Sequence, residues 1–367
     1  MTQKLKIAIA GYGVVGQRRR KFIDLHPNMQ VVAVCDQNYK NAGKFEDGVR
    51  FCPDYHALLQ TPKLDVLFVS LPNYLAAEVT MAGLKNGCHV FCEKPPGRDM
   101  NDIVQVRNTE KKNPALKLMY GFNHRYHDSV QEATRIIQAK ELGEIINLRG
   151  VYGKSKMINF DSDWRTKRAL SGGGILLDQG IHMVDMIRLF AGEFQEIHSF
   201  VSNSYWNHDV EDNAYALMRT QSGVVAMLHS SATQWKHSFR LEITLTKGTI
   251  ILSGILSSSK SYGSEKITVI YAAANDCGDP REQITSFNHD HSWSDEINEF
   301  AKAILENKSI YSGSSEDAFK TMELVYRVYC ADERWRKTYN LSYESFKKTT
   351  KYDRNLVNEI SPGGIRL

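Results

Sequence analysis

No stretch of this sequence approaches the roughly 18 consecutive apolar residues that a membrane-spanning helix requires, so no membrane partner is expected. The six cysteines (Cys35, Cys52, Cys88, Cys92, Cys277, Cys330) include no C-x-x-C pair. Several sit in or beside strand-like apolar runs, which reads as buried free thiols of a reducing compartment rather than a disulfide framework. Charge of one sign is scarce too: the formal net charge is only +4, and the one basic cluster is Arg18-Arg19-Arg20-Lys21. That excludes the concentrated basic face a nucleic-acid partner needs, and the cluster, falling inside a helix, reads as a solvated face. No low-complexity tract is present, so disorder is not the starting point. The apolar run at 7–10 is shorter than a signal-peptide core and ends at a glycine, and a cytoplasmic location follows as an expectation.

What is there is enough chain, 367 residues, for two domains with separate cores. Short β-branched runs at 6–10, 31–35, 66–70, 89–92 and 116–120 alternate with helix-like stretches, the pattern of a parallel sheet with helical crossovers. After residue 144 the strand candidates lengthen and follow one another across turns: 144–152, 214–219, 224–231 and 240–246. These read as a largely antiparallel sheet. The predicted fold class is therefore α/β. A Rossmann dinucleotide-binding domain spans 1–122, an α+β domain with a large, mostly antiparallel open sheet spans 123–345, and a polar tail covers 346–367. Two closing helices are expected at 294–306 and 316–336, the second capped by Ser314.

Gly11-Tyr12-Gly13-Val14-Val15-Gly16 follows the first strand and opens a helix, and Asp36 ends the second strand 20 residues after Gly16. Glycines allow a tight turn and close backbone approach, the helix N-terminus offers unpaired N–H groups to a pyrophosphate, and the acid accepts from a ribose diol. A carboxylate at Asp36 repels a 2′-phosphate, which favours NAD over NADP. A glycine turn of some other α/β protein leaves Asp36 unaccounted for.

The strand at 89–92 runs into Glu93-Lys94-Pro95, placing a lysine at the carboxyl end of a parallel strand, where open α/β sheets bind ligands. Farther on, Gly172-Gly173-Gly174 precedes a mostly apolar helical stretch in which Asp178, His182 and Asp185 are spaced i, i+4, i+7 and so share one face. A charged stripe on a buried helix is expensive unless its groups are paired or face a cavity. The alternatives are an interior Asp-His pair and a substrate site. Alcohol oxidation needs a base beside the hydroxyl and a cation for the developing oxyanion. His182 and Lys94 meet those needs, with Asp178 as the natural partner of either and a means of raising the pKa of His182. No position supports a metal: His289 and His291 read as part of a polar loop.

At these motifs, together with Leu71-Pro72-Asn73, Gly121-Phe122-Asn123-His124-Arg125-Tyr126 and Trp164-Arg165, the chain resembles the Gfo/Idh/MocA family over residues 5 to about 335. The resemblance implies an NAD(P)-dependent dehydrogenase or reductase acting on CH-OH groups of a sugar, inositol or nucleotide-sugar. It implies catalytic roles for Lys94, His182 and Asp178. Cofactor contacts are implied from the glycine motif, Asp36, Leu71, Pro72, Asn73, Glu93, Lys94, Trp164 and Arg165, and a substrate pocket lined by Asn123 and Arg125 as well as Lys94, Asp178 and His182. It also implies a homodimer or homotetramer built through the open sheet. Where relatives often carry a histidine soon after the Pro-Asn pair, this chain reads Tyr74-Leu75-Ala76-Ala77. Two alternatives stay open: a redox-neutral enzyme with tightly held NAD, and a non-catalytic NAD-binding regulator. The loops 154–168 and 201–212 carry basic and aromatic side chains that suit a phosphorylated or carboxylated sugar and equally suit a subunit contact.

Overall fold

The computed structural model describes residues 4–156, 164–257, 260–273, 275 and 278–342. Cys277 and the predicted tail 346–367 lie outside the described residues.

The first layer builds strand by strand: β1 (Leu5–Ala10), α1 (Val14–Leu25), β2 (Met29–Cys35), the short β3 (Gly43–Lys44) and β4 (Arg50–Cys52), α2 (Tyr55–Leu59), β5 (Val66–Val69), α3 (Asn73–Lys85), β6 (His89–Glu93), α4 (Met100–Lys111) and β7 (Leu118–Gly121). The sheet order is β3-β4-β2-β1-β5-β6-β7. Every pairing is parallel except β3 with β4. β5 is buried along its whole length, as a parallel strand covered by helices on both faces must be, and that explains its unbroken apolar sequence. The chain runs outward in opposite directions from β1, to β2 on one side and β5 on the other. This makes the C-terminal end of β1 a switch point where such sheets bind ligands.

A 3₁₀ turn (Asn123–Tyr126) and α5 (Asp128–Gln138) lead to the second layer: β8 (Ile145–Gly153), α6 (Arg168–Ser171), a π-helical turn (Leu176–Gly180), α7 (Ile181–Ala191), β9 (Phe194–Ser202), β10 (Asn213–Thr220), β11 (Val225–Ser231), β12 (Ser238–Leu245), β13 (Gly248–Ser253), β14 (Glu265–Tyr271) and β15 (Arg281–Phe287). These strands form one sheet in the order β15-β14-β13-β12-β8-β11-β10-β9. Its pairings are antiparallel except β8 with β11. Along β10 the period-2 alternation buries Ala214, Ala216 and Met218 and exposes Tyr215, Leu217 and Arg219. The other face carries α5, α7 and α9 (Ser315–Ala331).

After β15 the chain returns to the first layer through α8 (Ser292–Leu305), whose Phe300 lies edge-on to Phe68 and Phe91 at 5.9 and 5.5 Å. The single helix expected over 316–336 is two. α9 opens with a Ser314–Asp317 capping box, and Asp332 then leaves helical backbone (φ −80°, ψ 110°) to cap α10 (Glu333–Thr338). The second carboxylate oxygen of Asp332 accepts from the Val201 N–H at 2.8 Å, which fixes the break against β9. Cys35, Cys52, Cys88 and Cys92 are buried thiols. Among the described residues no helix is long and apolar enough to cross a membrane.

Candidate functional site

Gly11 has φ +87°, and a Cβ there would stand 2.3 Å from the Ser70 carbonyl oxygen and 3.1 Å from the Leu71 side chain. A Cβ on Gly16 would stand 2.0 Å from the Gly11 carbonyl oxygen. The turn therefore closes only with glycine at both positions. Gly13 differs, because a Cβ there would meet nothing within 4 Å. It is the N-cap of α1, no side chain caps the helix, and Val14 and Val15 are exposed beside it. The first N–H groups of α1 thus face open space at the switch point. Asp36 stands ready at the end of β2. Its Oδ2 accepts from the Tyr12 N–H at 3.0 Å, and its Oδ1 accepts from the backbone and side chain of Asn38 at 3.0 and 2.7 Å. Pro72 caps α3, and the Asn73 amide donates to the Ser171 carbonyl at 2.7 Å, tying the glycine loop before Asp178 to the first layer. That loop is also held from within: Glu211 accepts from the N–H groups of Gly174 and Leu176 and from the Tyr329 hydroxyl.

The Lys94-Pro95 peptide is cis, and the Lys94 ammonium donates to the Asp178 carbonyl oxygen at 2.5 Å. The Asp178 carboxylate does not bond His182. It faces Lys154 Nζ at 3.6 Å and Arg165 Nε at 3.8 Å. Burial works to raise the pKa of Asp178, but Lys154, Lys94 and Arg165 outweigh it and hold the group at about 2. His182 stacks on His124, ring centroids 3.7 Å apart and planes 12° from parallel. Its buried Nδ1 has no hydrogen-bond partner. Burial first, then Lys94 and His127, hold its pKa well below the ordinary imidazole value. The expected rise from an acid one turn away is thus reversed. The reason is geometric: Asp178 lies in the π-helical turn 176–180, so the α-helical i, i+4 spacing does not bring it onto the imidazole.

Asp185 departs further from the expected face. It forms a buried bidentate pair with Arg125, Nε to Oδ2 at 2.6 Å and Nη2 to Oδ1 at 2.7 Å, and the remaining Arg125 nitrogen lies 3.2 Å from Asp317. Arg125 therefore belongs to an interior ion-pair network. Asn123 donates to the Ser292 hydroxyl at 3.1 Å and lies beside His124, 3.2 Å from its Nδ1. Glu93 meets Arg19, not open space: Arg19 is fully buried, donates to Glu93 at 2.6 Å and pairs with Glu296 at 2.7 Å. Its guanidinium lies 4.4 Å from the Phe91 ring centroid and 4.2 Å from that of Trp293. Arg19 is not part of a solvated face. The signal was in the spacing, since Gly16, Arg19 and Ile23 lie on one stripe of α1 and are its buried residues. Arg20 reaches back to the Tyr12 hydroxyl at 2.9 Å.

Arg165 stacks over Trp164 at 4.2 Å, so that pair joins Lys94, Asp178 and His182 in one cluster. Sequence reasoning missed two members. Lys154 follows β8 directly and is buried. His124 pairs its ring with His182 and places Nε2 3.2 Å from the Tyr152 hydroxyl. Among the described residues no group of three or more His, Cys, Asp or Glu side chains gathers as a metal site would require.

A glycine turn at the switch point of a parallel sheet, an acid at the end of the next strand and a buried Lys-Asp-His cluster beneath a second sheet define a two-domain dinucleotide-binding oxidoreductase. Residues 5–122 match the family described as oxidoreductase family, NAD-binding Rossmann fold, and residues 130–251 match the GFO/IDH/MocA C-terminal domain. The chain belongs to the Gfo/Idh/MocA family of oxidoreductases, and its first layer is an NAD-binding Rossmann domain. It is 30% identical over 151 residues to levoglucosan dehydrogenase of Pseudarthrobacter phenanthrenivorans, a match spanning 41% of this chain and 38% of that enzyme. With D-glucoside 3-dehydrogenase of Escherichia coli it shares 28% identity over 255 residues, 62% of this chain and 70% of the relative. The solved levoglucosan dehydrogenase complex with NADH and levoglucosan superposes with a TM-score of 0.77, covering 91% of this chain and 98% of that one at 20% identity, a likeness of fold.

Proposed function

We propose that the chain is a dehydrogenase or ketoreductase that moves a hydride between NAD(H) and a carbinol or keto carbon of a sugar, inositol or nucleotide-sugar. The observation that carries this is the meeting of Lys94, Asp178 and His182 in one buried cluster at the carboxyl end of β6, with Lys94 bonded to the Asp178 carbonyl. The names of the sugar-oxidising relatives support it. The cofactor site fits the group: open space over Gly13, uncapped N–H groups and exposed Val14 and Val15 suit a pyrophosphate and its flanking riboses, and the preset Asp36 carboxylate suits a ribose diol.

Bound NAD⁺ supplies the hydride acceptor. His182, neutral because burial disfavours its charged form, takes the hydroxyl proton. Lys94 holds a positive charge beside the oxygen as negative charge develops there. Asp178 holds the surrounding cations in place. Stopped-flow absorbance at the nicotinamide band with a panel of sugars, inositols and nucleotide-sugars tests this reading. Net NADH formation with a panel member supports it; turnover of a panel member with retained cofactor and no net NADH replaces it with a redox-neutral cycle.

Two further expectations follow. Asp36→Ala will weaken NADH binding by about 10- to 100-fold, the loss of hydrogen bonds to a charged acceptor, and will narrow the gap to NADPH, as read by fluorescence titration. The outer face of the second sheet exposes Phe200, Tyr215, Leu217 and Met227 on neighbouring strands, a patch that a second copy of the chain would cover. Leu217→Asp will therefore reduce the sedimentation coefficient to that of a smaller species without loss of helix signal.

A further inference from the structure

Hydride transfer provides no role for Lys154. It is 3% exposed, its Nζ stands 3.6 Å from Asp178 Oδ2, and it has no hydrogen-bond partner among the described residues. The Nε of Arg165 is in the same condition, buried, 3.8 Å from Asp178 Oδ1 and without a hydrogen-bond partner. Lys154 and Arg165 thus share the single carboxylate of Asp178, while Lys94 is held by the Asp178 backbone carbonyl. Glu93, the other acid that acts on Lys94, is itself held by buried Arg19. The nearby Tyr152 hydroxyl lies 3.2 Å from His124 Nε2 and is bonded to Tyr262. Local neutralisation is therefore incomplete, with positive charge in excess. A buried ammonium whose counter-charge is a shared carboxylate 3.6 Å away is costly, and two donors beside one such carboxylate are the arrangement that an oxyanion with several lone pairs satisfies.

The geometry points to an anion subsite formed by Lys154 and Arg165 beside the reacting centre, so that the substrate is an acidic sugar bearing a carboxylate or phosphate near its reacting carbinol. This rests on the dehydrogenase reading for the identity of the site and narrows that reading to a substrate class. Asp178 sets the spacing of the two cations. The anion takes the Lys154 protons and the Arg165 Nε–H that no atom of the described residues accepts. The burial that leaves Lys154 short of partners also lowers its pKa to about 8, and an arriving anion would raise it again.

The test is isothermal titration calorimetry of the full chain, with and without saturating NADH, using D-glucuronate, D-galacturonate, D-glucose 6-phosphate and D-glucose as probes. At least one acidic probe should bind about 10- to 100-fold more tightly than glucose, the range for hydrogen bonds to charged groups. A uronate preference assigns the subsite to carboxylate, and a preference for the sugar phosphate assigns it to phosphate. Lys154→Met should collapse the ratio of acidic to neutral affinity, and Lys154→Arg should restore most of it. Glucose binding as tightly as every acidic probe, no binding by any acidic probe, or an equal loss for all probes in Lys154→Met would overturn the subsite and leave Lys154 as a support for Asp178. NADH titration of each variant reports its folding, and if Lys154→Met does not fold, the wild-type ratio and Lys154→Arg decide. If the wild type binds no NADH, the dehydrogenase reading fails, while the titrations without cofactor still decide the anion subsite.

Discussion

His182→Asn will lower kcat for alcohol oxidation by about 10²- to 10⁴-fold, the range for losing a positioned general base, while NADH binding persists. Asparagine keeps roughly the volume and polarity of the imidazole but cannot take a proton, so stacking on His124 is partly preserved and the chemistry is not. The pH profile makes the assignment specific. Burial, Lys94 and His127 depress the pKa of His182 well below the usual value, so the base is already neutral at pH 6.5. The acid limb of kcat/KM should accordingly lie below the usual imidazole range of about 6.5 and vanish in the asparagine variant. The alkaline limb should be set by Lys94, whose pKa burial also lowers, and should survive the substitution. A profile whose acid limb is unchanged by His182→Asn would assign the base elsewhere.

The same depression bears on stability, with its sign fixed. In the unfolded chain His124 and His182 return to about 6.5, and in the folded protein both are held below that. As pH falls through this window the unfolded state takes up protons that the folded state does not, so stability is present above it and lost below it.

Much of this fold was legible because its signals are periodic. The five first-layer strands show as short β-branched runs, and β10 as a clean alternation of buried and exposed residues. β3 and β4 did not show, since two and three residues carry no periodicity. The cluster was legible as a set of residue types but not as a set of bonds. Asp178, His182 and Asp185 share a face only on an ideal α-helix, and the π-helical turn at Leu176–Gly180 rotates Asp178 away. Asp185 instead answers Arg125 from a turn about sixty residues earlier, a long-range pairing that local spacing does not encode. Lys154 was visible only as one basic residue in a loop, because its meaning lies in a neighbour 24 positions on. Arg19 could have been read from its place between Gly16 and Ile23 on the buried stripe, had a charged side chain been allowed there.

That arginine carries the largest expected effect on stability. Arg19→Met will destabilise the protein by about 3–5 kcal/mol, the range for removing one partner from a buried ion pair, because methionine fills the space between Phe91 and Trp293 but leaves Glu93 and Glu296 facing each other without a cation. The loss should depend on pH. Burial already raises the carboxyl of Glu296 to about 8 against the attraction of Arg19, and without the guanidinium that restraint is gone. A carboxyl whose folded pKa lies above its unfolded value near 4.3 favours the folded state only while protonated. The destabilisation should therefore be level from pH 5.5 to about 8, where Glu296 stays protonated with or without Arg19, and grow above it, as read from urea midpoints at pH 5.5 and 9. Because Arg19 joins α1 and α8 to the residue preceding Lys94, the variant should also lose kcat at pH 5.5, where the fold is best preserved. An Arg19→Met protein with wild-type urea midpoints at both pH values would mean that the aromatic sandwich, not the ion pairs, holds these elements together.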